Sequence, residues 1–308
     1  MSTKLRLTLS LVSALLLTSG WVGAGGLPLA VALVPLLLIS AQYSASWRDT
    51  LRMTGWATLT FVVWNVATVW WIWNATPIGP IAATFFSTWW SLAAFVLFHI
   101  VSKHTPKGLA YLFFIVAWIS GEYLYINAPA LSFPWLVLGN GFSNDTWAVQ
   151  WYEWTGVLGG SLWVLTLNVL ATQSLLTMRK RAWVATTLAL VVPMVVSLVL
   201  YEVNSPERER YTSQEKVSIS VVQPNVDCYE KFNSDAAWQQ ENLLALLRET
   251  PDSVQFVLMP ETSLGAMLHE GHIASEPVVR RFASELAAHN PQAMIVTGCE
   301  SVRMYGKE

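Results

Sequence analysis

Charge is what this sequence has least of. Only 12% of its 308 residues are Asp, Glu, Lys or Arg, against about 25% in ordinary soluble domains. That shortage excludes a chain solvated over its whole surface. The formal net charge is −2, which gives a polyanion nothing to hold, so no nucleic-acid partner is expected. Cysteine is scarce too: Cys228 and Cys299 are too few for a disulfide framework, and a single bridge between them is neither required nor excluded. No internal repeat and no low-complexity tract is present. What the chain does have is 54% hydrophobic residues and 17 tryptophans, with a mean hydropathy of +0.43. Long apolar runs with many indole rings are the composition of a membrane protein, because indoles collect at the membrane–water interface.

The low charge is unevenly spread. Residues 1–202 hold nine Lys and Arg, and charge density climbs from Ser205 in "SPERERYTSQEK". The organisation expected is a membrane domain over 1–203, a polar linker at 204–215 and a soluble segment over 216–308. A hydrocarbon core of about 30 Å needs roughly 20 apolar residues per helix. Seven spans satisfy or approach that ruler, near 5–22, 27–43, 54–74, 81–101, 109–126, 155–177 and 182–202. The first two are short and separated only by "GWVGAGG", which suggests a tight helical hairpin. The first also has signal-peptide features, with Lys4 and Arg6 before an apolar core, but the apolar span that follows at once favours retention.

Loop charges orient these spans. Lys4 and Arg6, Arg48 and Arg52, Lys103 and Lys107, and Arg179, Lys180 and Arg181 fall in alternate connections. The intervening loops near 22–26, 75–80 and 127–154 contain no Lys or Arg. By the positive-inside rule the N-terminus is cytoplasmic and the segment after seven crossings lies outside.

The loop at 127–154, free of Lys and Arg and with few charges of any sign, carries Trp135, Trp147, Trp151 and Trp154. These could form an interfacial belt, or a re-entrant segment that binds lipid chains beside an outward-facing site. Glu122 lies within the fifth span, where a carboxylate is costly enough to imply a functional or pairing role unless headgroups solvate it.

From Lys216 the period changes. "VSISVVQ" (217–223), "VQFVLM" (254–259) and "AMIVTG" (293–298) read as buried strands, and 234–249 and 276–289 as helices, the first capped by Ser234 or Asp235. This β-α-β-α-β order predicts a parallel or mixed sheet with covering helices. In such sheets chemistry sits beyond the carboxyl ends of the strands. "QPN" after the first strand and "PET" after the second occupy that position. Pro260 stops the second strand and holds Glu261 at its tip, where a carboxylate partly withdrawn from water suits a general base. A glutamate after a strand also often just caps a helix.

Taken in order, these segments resemble apolipoprotein N-acyltransferase, a nitrilase-superfamily enzyme of bacterial inner membranes. "WNVATVWWIWNAT" (64–76), "FPWLVLG" (133–139), "QWYEWTGVLGGSLWVLTLN" (150–168), "VVQPNV" followed by "EKF", and "VLMPETSL" (257–264) carry the resemblance. It implies an α-helical polytopic membrane domain of about seven transmembrane helices, followed by the first part of an α/β nitrilase-like domain, an α-β-β-α sandwich. It also implies a Glu–Lys–Cys triad without cofactor or metal. The cysteine takes an acyl chain from a phospholipid, typically phosphatidylethanolamine, as a thioester and passes it to the α-amino group of a diacylglyceryl-modified apolipoprotein cysteine. Glu261 matches the triad glutamate and Trp135 the outer-loop tryptophan. Phe232 falls where a pocket-lining Trp is usual. Gln223 and Asn225 match the opening motif, where shaping the strand end is at least as good a role as catalysis. Glu122 matches a frequent fifth-helix Glu, with Tyr125 in place of its usual Arg partner.

The resemblance also implies that the triad Lys and Cys follow the Glu in later strands, beyond Glu308, and that a last transmembrane helix lies there too. "CYE" at Cys228 imitates the nucleophile motif, but it precedes Glu261, so Cys228 is not expected to be the nucleophile; nor is Cys299. The 308 residues alone are therefore expected to be inactive. Two other readings compete. A non-catalytic lipid-binding or scaffold remnant would need neither Lys nor Cys. A membrane-anchored nitrilase-type amidase would have no use for the Trp-rich loop.

Overall fold

The computed structural model describes residues 1–128, 132–203, 216–227, 229, 231, 235–261 and 263–303. The expected linker, 204–215, lies outside the described residues, as do Cys228 and Phe232. The chain divides into two compact units, Met1–Pro206 and Glu207–Glu308.

Among the described residues the regular elements of the first unit are all helices: α1 (Thr3–Thr18), α2 (Val34–Ser40), α3 (Trp47–Val69), α4 (Gly79–His104), α5 (Lys107–Ile126), α6 (Tyr152–Thr177) and α7 (Lys180–Val203). Five of these, α3 to α7, are long and apolar enough to cross a membrane, α3 being extended by a 3-10 turn to Asn74. The first two expected spans take a different form. Helix α1 has 16 residues and continues as a 3-10 turn to Trp21, while the second span splits into a 3-10 segment, Leu27–Val31, and the seven-residue α2. Pro28 and Pro35 sit at the starts of those two pieces, and proline supplies no N–H to a continuous helix.

Backbone groups freed by such breaks must be satisfied internally if lipid surrounds them, and they are. Asn168 of α6 donates from Nδ2 to the Leu29 carbonyl at 2.7 Å and accepts from the Leu33 N–H at 2.7 Å. Ser13 of α1 donates to the Ala32 carbonyl at 2.5 Å. The same logic recurs at Pro193 inside α7. Its missing N–H leaves the carbonyl four residues back, Ala189, which accepts from Trp163 Nε1 of α6 at 2.7 Å. Elsewhere Thr60 donates to Ser10 O, and Asn65 Nδ2 to Thr88 Oγ1, each between neighbouring helices. The interior between the helices therefore holds buried Ser, Thr, Asn, His99 and Glu122, while large apolar side chains such as Leu15, Trp89, Leu124 and Leu188 lie on the outside.

The second unit contains β1 (Ile219–Val221), α8 (Ala236–Arg248), β2 (Phe256–Leu258), β3 (Met267–His269), α9 (Pro277–His289), β4 (Met294–Val296) and β5 (Glu300–Val302). β1, β2 and β4 form a parallel sheet in that order, with Ile219, Phe256 and Met294 in register and Val221, Leu258 and Val296 in register. Strand positions and both helices agree with the sequence expectation to within a few residues. Asp235 caps α8, accepting from the Ala237 N–H at 3.0 Å. The pair β3–β5, a second parallel ladder, was not anticipated, because its three-residue strands show no apolar alternation.

Stepping β1 to β2 to β4 in one direction, with right-handed crossovers, puts α8 and α9 on the same face of the sheet. They are clamped together by Arg248, whose Nε and Nη2 meet Glu285 at 2.7 and 3.0 Å, and by Arg281 with Glu241. Their buried Leu243, Leu244, Leu247, Phe282 and Leu286 pack with Val257. The opposite face presents Ile219, Val221, Met294 and Val296 to the outside.

Candidate functional site

The expected site residues fall in two sets, one in each unit.

In the first unit the connection after α5 is a framed structure. Short 3-10 turns at Pro134–Leu136, Leu138–Phe142 and Thr146–Ala148 follow one another, and Leu136, Leu138, Phe142 and Ala148 are buried. Glu122 organises it. The side chain is wholly buried, and its Oε1 accepts from the Leu138 N–H at 2.9 Å and from Trp118 Nε1 at 3.1 Å. Solvation by headgroups is therefore not how this carboxylate is accommodated. Nor is Tyr125 its partner, since the Tyr125 hydroxyl bonds Ser87 at 3.2 Å.

One residue further on, the Gly139 N–H donates to Ser161 Oγ at 3.1 Å, and its carbonyl accepts from the Tyr152 hydroxyl at 2.9 Å. A Cβ at Gly139 would lie 2.0 Å from the Val157 carbonyl, so only glycine lets the loop reach α6. The loop is tied to the N-terminal hairpin as well: Asp145 Oδ2 accepts from the Gly26 N–H at 2.6 Å.

This framing fixes Trp135. Its carbonyl accepts from Trp21 Nε1 at 2.8 Å, and its ring meets Trp71 edge-on at 5.8 Å, leaving the indole 45% exposed. Two of the motifs singled out in the sequence, 64–76 and 133–139, thus converge at one end of the helices. Trp71 is a participant the sequence reading did not single out. On the outside of the same region, α3 and α4 enclose an apolar groove of roughly 770 Å³, lined by Val62, Val66, Trp70, Trp73, Phe85 and Trp89 among others. Trp70, Trp73 and Asn74 place one end of that groove beside Trp71. The basic residues lie at the other end of the helices, where Lys103 Nζ donates to the Ser40 carbonyl at 3.1 Å and Arg6 stacks on Tyr43 at 4.8 Å.

In the second unit the carboxyl ends of the three parallel strands lie side by side, as the strand order requires. Asn225 has φ +50°, a left-handed conformation that asparagine tolerates better than most residues. The Pro224 carbonyl accepts from Asn242 of α8 at 3.3 Å. After β2, the Pro260 carbonyl accepts from Thr297 Oγ1 at 3.1 Å, and Thr297 also bonds Ser263 at 2.7 Å. Glu261 follows at the tip of the central strand, packed over Gly298, where a Cβ would approach the Glu261 Cγ to 3.1 Å. The residue is exposed, and among the described residues its carboxylate makes no hydrogen bond. Glu261 is thus positioned by the sheet but not enclosed.

Residues 13–170 match the apolipoprotein N-acyltransferase N-terminal domain. The chain belongs to the apolipoprotein N-acyltransferase family. It is 31% identical over 247 residues to the apolipoprotein N-acyltransferase of Chlorobaculum tepidum, a match covering 77% of this chain and 44% of that protein. The chain thus spans less than half the length of this relative. The aligned stretch exceeds the whole of the first unit, so the likeness runs on into the second.

Proposed function

We propose that this chain is the membrane unit and the opening strands of a lipoprotein N-acyltransferase. It takes a fatty acyl chain from a phospholipid of the phosphatidylethanolamine type and delivers it to the N-terminal amine of a diacylglyceryl-cysteine apolipoprotein. The observation that carries this reading is the apolar groove between α3 and α4, ending at the tryptophan cluster that Glu122 and Gly139 hold in place. A groove of that size, walled by Val, Phe and Trp on the lipid-facing side of two helices, suits an acyl chain. Trp135, half-exposed at its end, suits the place where the chain meets water.

In this reading Glu261 moves the protons. It takes the thiol's proton as the sulfur attacks the donor ester and gives it to the departing lysophospholipid oxygen. It then takes a proton from the amine that attacks the thioester and gives it to the departing thiolate, while a lysine stabilises each tetrahedral intermediate. By its place in the motif, Phe232 takes the aromatic lining role in this reading. Neither Cys228 nor Cys299 is the nucleophile. The apolar sheet face formed by Ile219, Val221, Met294 and Val296 supports a sandwich in which a second sheet covers it. The β3–β5 ladder suits the beginning of such a sheet. The same reading makes the protein multi-pass, with its N-terminus cytoplasmic, the first two short pieces inserted as a hairpin, and the second unit periplasmic.

The test is complementation of a strain depleted of its own enzyme with the complete gene product, reading lipoprotein N-terminal masses. Glu261→Gln is expected to abolish N-acylation with membrane insertion intact, and near-normal acylation by that variant rejects the assignment. Trp135→Ala is expected to lower turnover, which an amidase acting on a small amide has no reason to show.

A further inference from the structure

At the end of the helices opposite the tryptophan cluster lies a second, smaller cavity, of roughly 120 Å³. It forms where α2, the end of α4, the start of α5 and the end of α6 meet, and its polar lining is Ser40, Ser102, Lys103, Lys107 and Tyr111. From these features we infer that the cavity binds the phosphate group of an anionic phospholipid in the leaflet facing the basic loops. This inference does not depend on the acyltransferase reading.

Two cations line the cavity and no carboxylate does. Like charges held on one small concavity repel unless an anion sits between them. Lys103 is held in position because its Nζ donates to the Ser40 carbonyl at 3.1 Å, which leaves its remaining N–H groups free for a ligand. The Tyr111 hydroxyl makes no hydrogen bond among the described residues, while its ring is fixed by stacking on Phe98 at 5.7 Å. A positioned ammonium, a second ammonium and a phenolic donor fit a phosphodiester's oxygens. Leu37, Phe98 and Leu176 form the apolar remainder of the wall, which suits the glycerol and first methylenes of a lipid better than a soluble phosphate. Helix α6 reaches the cavity with Leu176, three residues before Arg179, Lys180 and Arg181, so the surrounding field is positive as well. Basic pockets between transmembrane helices on the cytoplasmic side are known to bind anionic lipid headgroups.

The test uses the whole chain in detergent with an equimolar mixture of phosphatidylglycerol and phosphatidylcholine, counting retained lipid by native mass spectrometry. The expected result is a preference for phosphatidylglycerol of about tenfold, falling to near unity in Lys103→Gln/Lys107→Gln. Lys107 is exposed at the first turn of its helix, so Lys107→Gln alone preserves folding and is expected to lose severalfold of the preference. Lys180→Gln/Arg181→Gln is expected to leave most of it. Equal retention of the two lipids, or a preference unchanged by both lysine variants, overturns the site. A thermal shift with inorganic phosphate that phosphatidylglycerol does not reproduce overturns the lipid assignment in favour of a soluble phosphate.

Discussion

The two units of this chain solve the burial problem in opposite directions. In the first, Ser13, Asn65, His99, Glu122 and Asn168 are buried between helices while Leu15, Trp89, Leu124 and Leu188 face outward. In the second, Leu243, Leu244, Leu247, Val257 and Phe282 are inside, and the ion pairs Arg248–Glu285 and Arg281–Glu241 are outside. Contiguous apolar patches beyond a few hundred Å² are rare on proteins bathed in water, so the first unit's outer surface calls for lipid. Once lipid is the solvent, apolar contact between helices gains little, and small polar side chains become the adhesive. The same residue type therefore has a different value in each unit.

A matched pair of leucine truncations tests this most directly. Leu244 is fully buried against the second unit's sheet, and Leu244→Ala is expected to cost about 2–5 kcal/mol. Hydrogen exchange of α8 in the whole chain reads the loss. Leu188 on α7 is 54% exposed, and Leu188→Ala is expected to cost less than about 0.5 kcal/mol. A comparable loss at both positions would mean that α7 packs against protein rather than lipid.

The reverse substitution separates the units from the other side. Asn168→Leu removes the partners of the Leu29 carbonyl and the Leu33 N–H, and each stranded group costs about 1–3 kcal/mol. An apolar gain in volume should thus destabilise the first unit, as measured by its unfolding midpoint in detergent. Trp163→Phe is a milder case of the same effect. It strands the Ala189 carbonyl that Pro193 leaves free, at about 1 kcal/mol. Adding Pro193→Ala, which restores an N–H to the helix, is expected to recover most of that loss. No recovery would show that the indole N–H contributes little.

How much of this was legible in the residues also divides between the units. Strands β1, β2 and β4, both helices and the Asp235 cap followed from apolar runs and a capping residue, because those signals are local. Length and hydropathy likewise picked out α3 to α7. The broken second span was not legible as broken: Pro28 and Pro35 are visible, but what makes the break tolerable is Asn168, more than 130 residues away. Glu122 could be flagged by its cost in a membrane, yet not its partner, since the Leu138 N–H belongs to an irregular loop with no periodic signature. The meeting of Trp71 and Trp135 was hidden for the same reason. The Gly139 requirement had a faint signal in "LGNG", but a glycine pair reads equally well as an ordinary turn. Glu261 was placed correctly at a strand tip by Pro260, while its exposure depends on what covers the sheet.

The smallest effect expected concerns surface charge in the second unit. Hydrogen bonding from Arg248 is the main cause holding the Glu285 carboxyl below its ordinary value of 4.5. A carboxylate whose folded-state pKa is lowered binds fewer protons folded than unfolded. Its contribution is therefore complete above the unfolded value and disappears as pH falls through the lowered one. Between pH 6 and 5 the wild type and Arg248→Gln should then differ by a constant, slight amount, and below about pH 4.5 the difference should shrink. Because the pair is exposed, salt should shrink it as well. Hydrogen exchange of α8 and α9 across this range is the measurement. A gap that persists at pH 3 and in high salt would mean that Arg248 acts through its aliphatic stem packed over α9. The outside of this unit would then be held partly as its interior is, by apolar contact.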